Sequence, residues 1–184
     1  MKYGTFIIIC VALMSGCRAK EAVAPRSSTR VTPPSDTPSP AIPLPPVAQE
    51  IERRGYNSIS GEVVTPNTWE TTTFRLRGKR AFSFRANKPF ANARDYYCRF
   101  QLLEESYDSA DDARRRLANI HLPDPSGPGE EIDYLSAMRG GFRVGNVAYV
   151  LQTDASMFWD EVQRFTKELA AATPGSEMVR AQPK

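Results

Sequence analysis

Thr71-Thr72-Thr73-Phe74-Arg75-Leu76-Arg77-Gly78-Lys79-Arg80-Ala81-Phe82-Ser83-Phe84-Arg85-Ala86-Asn87 is the stretch whose reading decides the fold. Phe74 and Leu76 alternate with Arg75 and Arg77, and Phe82 and Phe84 alternate with Ser83 and Arg85. Alternation of this kind belongs to a strand with one buried face. Gly78-Lys79-Arg80 between the two runs predicts a hairpin. A two-residue loop leaves Phe82 opposite Arg75. A three-residue loop over 78–80, or a five-residue loop with the same register, pairs Leu76 with Phe82 and Phe74 with Phe84, which gathers the aromatics on one face and sets the register. The other face then carries Arg75, Arg77 and Arg85, with Lys79 and Arg80 at the tip.

Working outward, Asp95 to Glu104 reads as the next strand, with Tyr96, Cys98, Phe100 and Leu102 on one face and Arg99 and Gln101 on the other. Ser109 caps a helix to about Ile120. Asp111 and Asp112 complement its N-terminus, Ala113, Leu117 and Ile120 form its apolar stripe, and Arg114, Arg115 and Arg116 its solvated side. His121 to Glu131 is broken by prolines and glycines and reads as a loop, followed by a candidate strand from Ile132 to Met138. Gly140-Gly141 predicts a turn. Phe142–Val144 and Val147–Thr153 form a hairpin through Gly145-Asn146, with Val144 opposite Val147 and Phe142 opposite Tyr149. A last helix runs from about Ser156 to Ala172 on Phe158, Val162, Phe165 and Leu169. The expected class is α+β: an antiparallel sheet with two helices packed on one face.

This domain occupies residues 50–174, with 175–184 expected as a disordered tail. Before it, residues 17–49 hold eight of the fifteen prolines, much Ser, Thr and Ala, and no aromatic residue. Such a stretch buries too little apolar surface to offset its ordering entropy, and it samples extended polyproline II. Its reach is on the order of 90 Å at ~3.1 Å per residue. A spacer fits this composition better than a proline-rich recognition motif. Charge is uneven: residues 51–99 carry ten Lys/Arg against four Asp/Glu, and residues 100–184 nine against fourteen, within a net charge of +3. So modest a balance argues against a nucleic-acid partner.

The first seventeen residues place the chain. Lys2 gives a minimal positive start, Thr5 to Met14 is apolar, and Ser15-Gly16 precede Cys17. The apolar run suits a signal peptide and is too short to span a bilayer. Leu13-Met14-Ser15-Gly16-Cys17 resembles the lipobox of bacterial lipoproteins, although Met14 stands where a branched aliphatic is commoner. The resemblance implies removal of residues 1–16 and diacylglyceryl modification of the Cys17 thiol, with acylation of the new amino terminus. Several acyl chains on one cysteine hold a protein durably to a membrane, whereas one does so marginally. Arg18, where an aspartate retains enterobacterial lipoproteins at the inner membrane, implies the periplasmic face of the outer membrane in a cell that has one.

No catalytic constellation is visible. Cys98 is the one cysteine outside the leader and Cys17, and its place on an apolar strand face suits a small buried hydrophobe. His121 is the only histidine and has no metal-ligand partner at short spacing. Gly127-Pro128-Gly129 lacks the ending of a phosphate loop. Asp111-Asp112 and Glu130-Glu131-Asp133 lack calcium-loop spacing. No cofactor or metal is expected. The candidate partner-binding residues are Arg75, Arg77, Lys79, Arg80 and Arg85, suited to an anionic envelope polymer or an envelope protein. Trp69, near Tyr56, is a second candidate contact. The expected function is that of a non-enzymatic, lipid-anchored binding or accessory protein. The alternatives are an envelope enzyme whose site converges only in three dimensions, and a surface-exposed structural protein or adhesin.

Overall fold

In the computed structural model, residues 42–90, 95–121 and 138–180 are described. The leader, Cys17, most of the proline-rich stretch, the loop over 122–131 and nearly all of the candidate strand 132–138 lie outside them. The order is α1 (Pro46–Arg53), β1 (Tyr56–Val64), α2 (Thr68–Phe74), β2 (Leu76–Ala86), β3 (Arg99–Tyr107), α3 (Ala110–Ala118), β4 (Arg139–Val144), β5 (Val147–Gln152), a 3₁₀ turn (Ser156–Phe158), α4 (Trp159–Ala172) and β6 (Ser176–Met178). The strands form one antiparallel sheet in the order β1-β2-β3-β5-β4-β6.

The α+β class stands, and the arrangement of helices differs from expectation. Val47, Ala48 and Ile51 of α1 and Val162, Phe165 and Leu169 of α4 pack with Phe82, Phe84, Phe100, Leu102, Phe142 and Leu151 on one face. Phe74, at the end of α2, and Ala113 and Leu117 of α3, with Ile120 just beyond it, pack with Ala81, Leu103, Ala148 and Val150 on the other. Consecutive strand residues such as Leu102 and Leu103, or Val150 and Leu151, are both buried because each side of the sheet has its own helical layer. The two helices foreseen at 109–120 and 156–172 therefore lie on opposite faces.

The expected 71–87 hairpin does not form. Thr68–Phe74 is helical, because Asn67 and Glu70 close a reciprocal capping box at its start. The β-branched threonines are accommodated by hydroxyls that bond back to Thr68 O. Residues 76–86 run straight through Gly78-Lys79-Arg80 as one strand, paired with β1 on one side and β3 on the other, with a register shift between Leu76 and Gly78. Arg75 (φ 54, ψ 42) makes the left-handed turn that ends α2.

Other boundaries shift for local reasons. Pro46 sits at the first position of α1, where its missing N–H costs nothing, so a helix occupies the end of the supposed tether. β3 starts later and ends later than foreseen, and Tyr96 is exposed. Residues 176–178 of the supposed tail form β6 against β4. Ser109 caps α3 as expected by accepting from Asp112 N. The β4–β5 hairpin has the expected register through Gly145 (φ 58).

Gly140-Gly141 lies within β4 rather than at a turn. A Cβ on Gly141 would fall 2.8 Å from both Leu117 Cδ2 and the Tyr149 carbonyl oxygen, whereas one on Gly140 would meet Thr166 at ordinary contact, 3.4 Å. Gly141→Ala should therefore destabilise by about 1–3 kcal/mol, read as a lower urea midpoint, and Gly140→Ala should leave the midpoint nearly unchanged. Equal effects would show that α3 does not lie this close to the sheet.

Candidate functional site

The five basic residues singled out above do not share one free surface. Lys79 donates to Glu70 Oε1 at 2.5 Å and lies 3.6 Å from Glu105 Oε1. Arg80 pairs with Glu104 at 2.5 Å and lies over Phe82. Arg77 forms a two-pronged pair with Asp108 on the surface, which holds the Asp108 carboxyl below its ordinary range. Arg75 is exposed at the α2 turn. Arg85 stacks on Tyr97, 4.1 Å from its ring centre. Trp69 is half-buried, edge-on to Phe74, and Tyr56 is buried. The residues foreseen as a basic patch are thus spread over both faces of the sheet, and most are neutralised.

The densest part of this network lies under α2 and α3. Glu105 has no exposed surface. Tyr107 Oη donates to Glu105 Oε2 at 2.7 Å, and Arg116 Nε lies 3.5 Å from the same oxygen. Arg116, expected on the solvated side of α3, is buried, and its guanidinium also lies over Phe74. Two carboxylates, Glu70 and Glu105, are thereby matched by two cations, Lys79 and Arg116. Burial and Glu105 push the Tyr107 hydroxyl well above its ordinary value.

Beyond α2 and α3 the same sheet face opens. Register places Ser60, Ser83, Gln101, Gln152 and Arg139 side by side across five strands. All but Ser60 line a pocket of about 420 Å³, together with Ile59, Arg99, Thr153 and Asp154. Gln152 Nε2 donates to Gln101 Oε1 at 2.7 Å. Arg139 Nε and Gln152 Oε1, on directly opposed residues, are buried without hydrogen-bond partners. Burial, reinforced by Arg116, pulls the Arg139 guanidinium below its ordinary value, while Glu105 and Glu70 act the other way. Arg85 and Arg99 are also directly opposed. Like charges so placed destabilise a sheet unless something lies between or beside them.

A second hollow, of about 310 Å³, is lined by Tyr56, Asn87, Cys98 and Glu161 among others. Tyr56 Oη donates to Glu161 Oε1 at 3.3 Å. Burial first, then the charge of Glu161, pushes the Cys98 thiol up to about 12. That is the reverse of what activates a cysteine nucleophile, so this hollow lends no support to thiol chemistry. His121 is half-buried just past α3. Among the described residues, no group of three or more His, Cys, Asp or Glu side chains is placed to hold a metal ion. Comparison with protein families, with curated proteins and with solved structures finds no match.

The pocket was not foreseen. Arg99 and Gln101 were placed together on the outer side of a strand, but their company with Ser83, Gln152 and Arg139 depends on long-range register. The one usable signal was the run of polar residues at alternate positions of strands that are otherwise apolar on both faces.

Removing Glu105 takes the carboxylate partner from Arg116 and Tyr107 in a buried site and leaves Lys79 with Glu70 alone. Glu105→Ala should lower stability by about 3–5 kcal/mol, while Arg77→Gln, at an exposed pair, should leave the denaturation midpoint unchanged; similar midpoints for the two variants would contradict the buried cluster. Cys98 should resist a thiol reagent at pH 8 in the folded protein and react on unfolding, scored as the difference from Cys98→Ser. The folded state keeps the thiol proton that the unfolded chain loses near pH 9. Stability from this group is therefore full below that pH and falls as pH rises from about 9 towards 12.

Proposed function

We propose that this chain is a lipid-anchored, non-enzymatic binding or accessory protein of the bacterial cell envelope. Leu13-Met14-Ser15-Gly16-Cys17 supports the anchor, and the proline-rich stretch after it supports a spacer between membrane and domain. The observation that carries the binding role is the pocket on the sheet face beyond α2 and α3, where Ser83, Arg99, Gln101, Arg139 and Gln152 converge. Its hydrogen-bonding and cationic side chains suit capture of a ligand. Among the described residues, its lining has a serine, a threonine and an aspartate, but neither histidine nor cysteine to serve as base or thiol nucleophile. The binding role therefore moves from the five basic residues of the supposed hairpin to this pocket. Arg85, opposed to Arg99, is the one of the five that stays beside it.

The anchor is tested by expressing the full chain in a bacterium with two membranes, feeding labelled palmitate and separating the membranes on a density gradient. The chain should carry label and band with the outer membrane, and Cys17→Ser should lose the label and the banding. A wild-type chain that is unlabelled and soluble would sink the proposal.

A further inference from the structure

Among the described residues, no carboxylate lies within ion-pair distance of the cations at this end of the sheet, Arg85, Arg99 and Arg139. Elsewhere on this face, Lys79 and Arg116 are matched by Glu70 and Glu105, and Arg143 by Glu177. Glu70 and Glu105 are therefore already engaged, and neither lies within ion-pair distance of Arg139. Arg85 and Arg99 face each other in register, and the Arg85 guanidinium lies over the Tyr97 ring, which supplies no carboxylate. Asp154, which is exposed, is the one carboxylate among the described residues of the lining.

Geometry lets two of these arginines act together. Arg99 and Arg139 lie on the same sheet face, two strands and two residues apart. Their Cβ atoms are therefore about 12 Å apart from strand spacing and rise alone. Two guanidinium groups on long side chains can close on one small group from that separation. Between them lie Gln101 and Gln152, with Ser83 and Thr153 at the margins. Amides and hydroxyls pair with hydroxyl groups, and guanidinium forks pair with carboxylate or phosphate. Of the apolar residues in the described lining, Phe84 and Phe100 are buried in the core of the other face, and Ile59, at the irregularity between Ser58 and Ser60, is exposed.

We propose that this pocket binds a hydroxylated organic anion of the acidic-sugar class, its oxyanion held between Arg99 and Arg139 and its hydroxyls by Gln101, Gln152 and Ser83. The proposal rests on the reading of the pocket as a binding site and adds the charge and chemistry of the ligand. A free sugar acid and the terminal residue of an acidic polysaccharide share this chemistry.

The test is calorimetry on the full mature chain in detergent, with galacturonate as probe and galactose as its neutral counterpart. Galacturonate should bind at least about tenfold more tightly than galactose, and Arg99→Gln, Arg139→Lys and Gln101→Ala should each weaken it about tenfold or more. Arg77→Gln, at the far end of the sheet, should not change it. Arg99 is exposed, so its variant keeps the test interpretable where Arg139→Lys fails to fold. Competition by oligogalacturonate at equal chain concentration points to a polymer end, and competition by the monomer alone to a free sugar acid; either supports the proposal. Equal binding of galactose and galacturonate, lost in Gln101→Ala and kept in Arg99→Gln, would overturn the anionic ligand and leave the pocket as a binding site. Binding of neither probe would overturn both.

Discussion

Glu105 sits in the middle of the sheet with no contact with water, and a carboxylate there is tolerable only while it is paired and hydrogen-bonded. Its partners come from three elements: Lys79 from β2, Arg116 from α3 and Tyr107 from its own strand. Glu70, in α2, completes the set through Lys79. Both helices of the second layer thus contribute a charged side chain to one buried cluster, and each must be in place before the others are satisfied. Apolar packing by Phe74, Leu117 and Ile120 supplies the area of that layer. The cluster fixes its position, because a buried charge has few acceptable arrangements.

That fixed layer covers only part of its face. α2 and α3 seal the end near Leu76 and Tyr107, and the same strands continue beyond them with Ser83, Gln101 and Gln152 in place of Ala81, Leu103 and Val150. One set of strands therefore serves two purposes along its length. Where helices lie on it, its residues are apolar or internally neutralised. Where they do not, its residues are polar with positive charge in excess. The opposite face has no such division, since α1 and α4 press on an aromatic layer of Tyr56, Phe84, Phe100 and Phe165. A rigid sheet, held from both sides, places the pocket side chains with little freedom to drift.

What could be read beforehand was local. The Gly145-Asn146 turn, the Ser109 cap and the stripe through Phe158, Val162, Phe165 and Leu169 each depend on neighbours within a turn or two, and each is present. The 71–87 stretch was misread because β-branched threonines and alternating arginines imitate a strand. The pair that decides it, Asn67 followed three residues later by Glu70, lies just before that stretch and formed no part of the reading. Gly78-Lys79-Arg80 resembled a turn because the partners of Lys79 and Arg80, Glu105 and Glu104, lie on another strand. The α1 segment was hidden by proline content, although proline is acceptable where α1 begins. The pocket was illegible for a related reason: Arg99 and Arg139 become neighbours only through the pairing of β3 with β5 and β5 with β4. Alternation says which residues share a strand face, but not which strand comes next.

The shortest strand has a consequence for the order of events as the chain is made. β4 pairs with β5 across a two-residue turn, yet among the described residues its other edge is closed only by Ser176–Met178, after the whole of α4. Until those residues emerge, β4 presents an unpaired row of amides and carbonyls, with Phe142 and Val144 on its apolar side. A chain interrupted at Gly175 would hold every described helix and still offer that edge to any extended segment nearby. The last strand to be synthesised is thus the one that ends the interval in which this sheet can recruit a foreign strand.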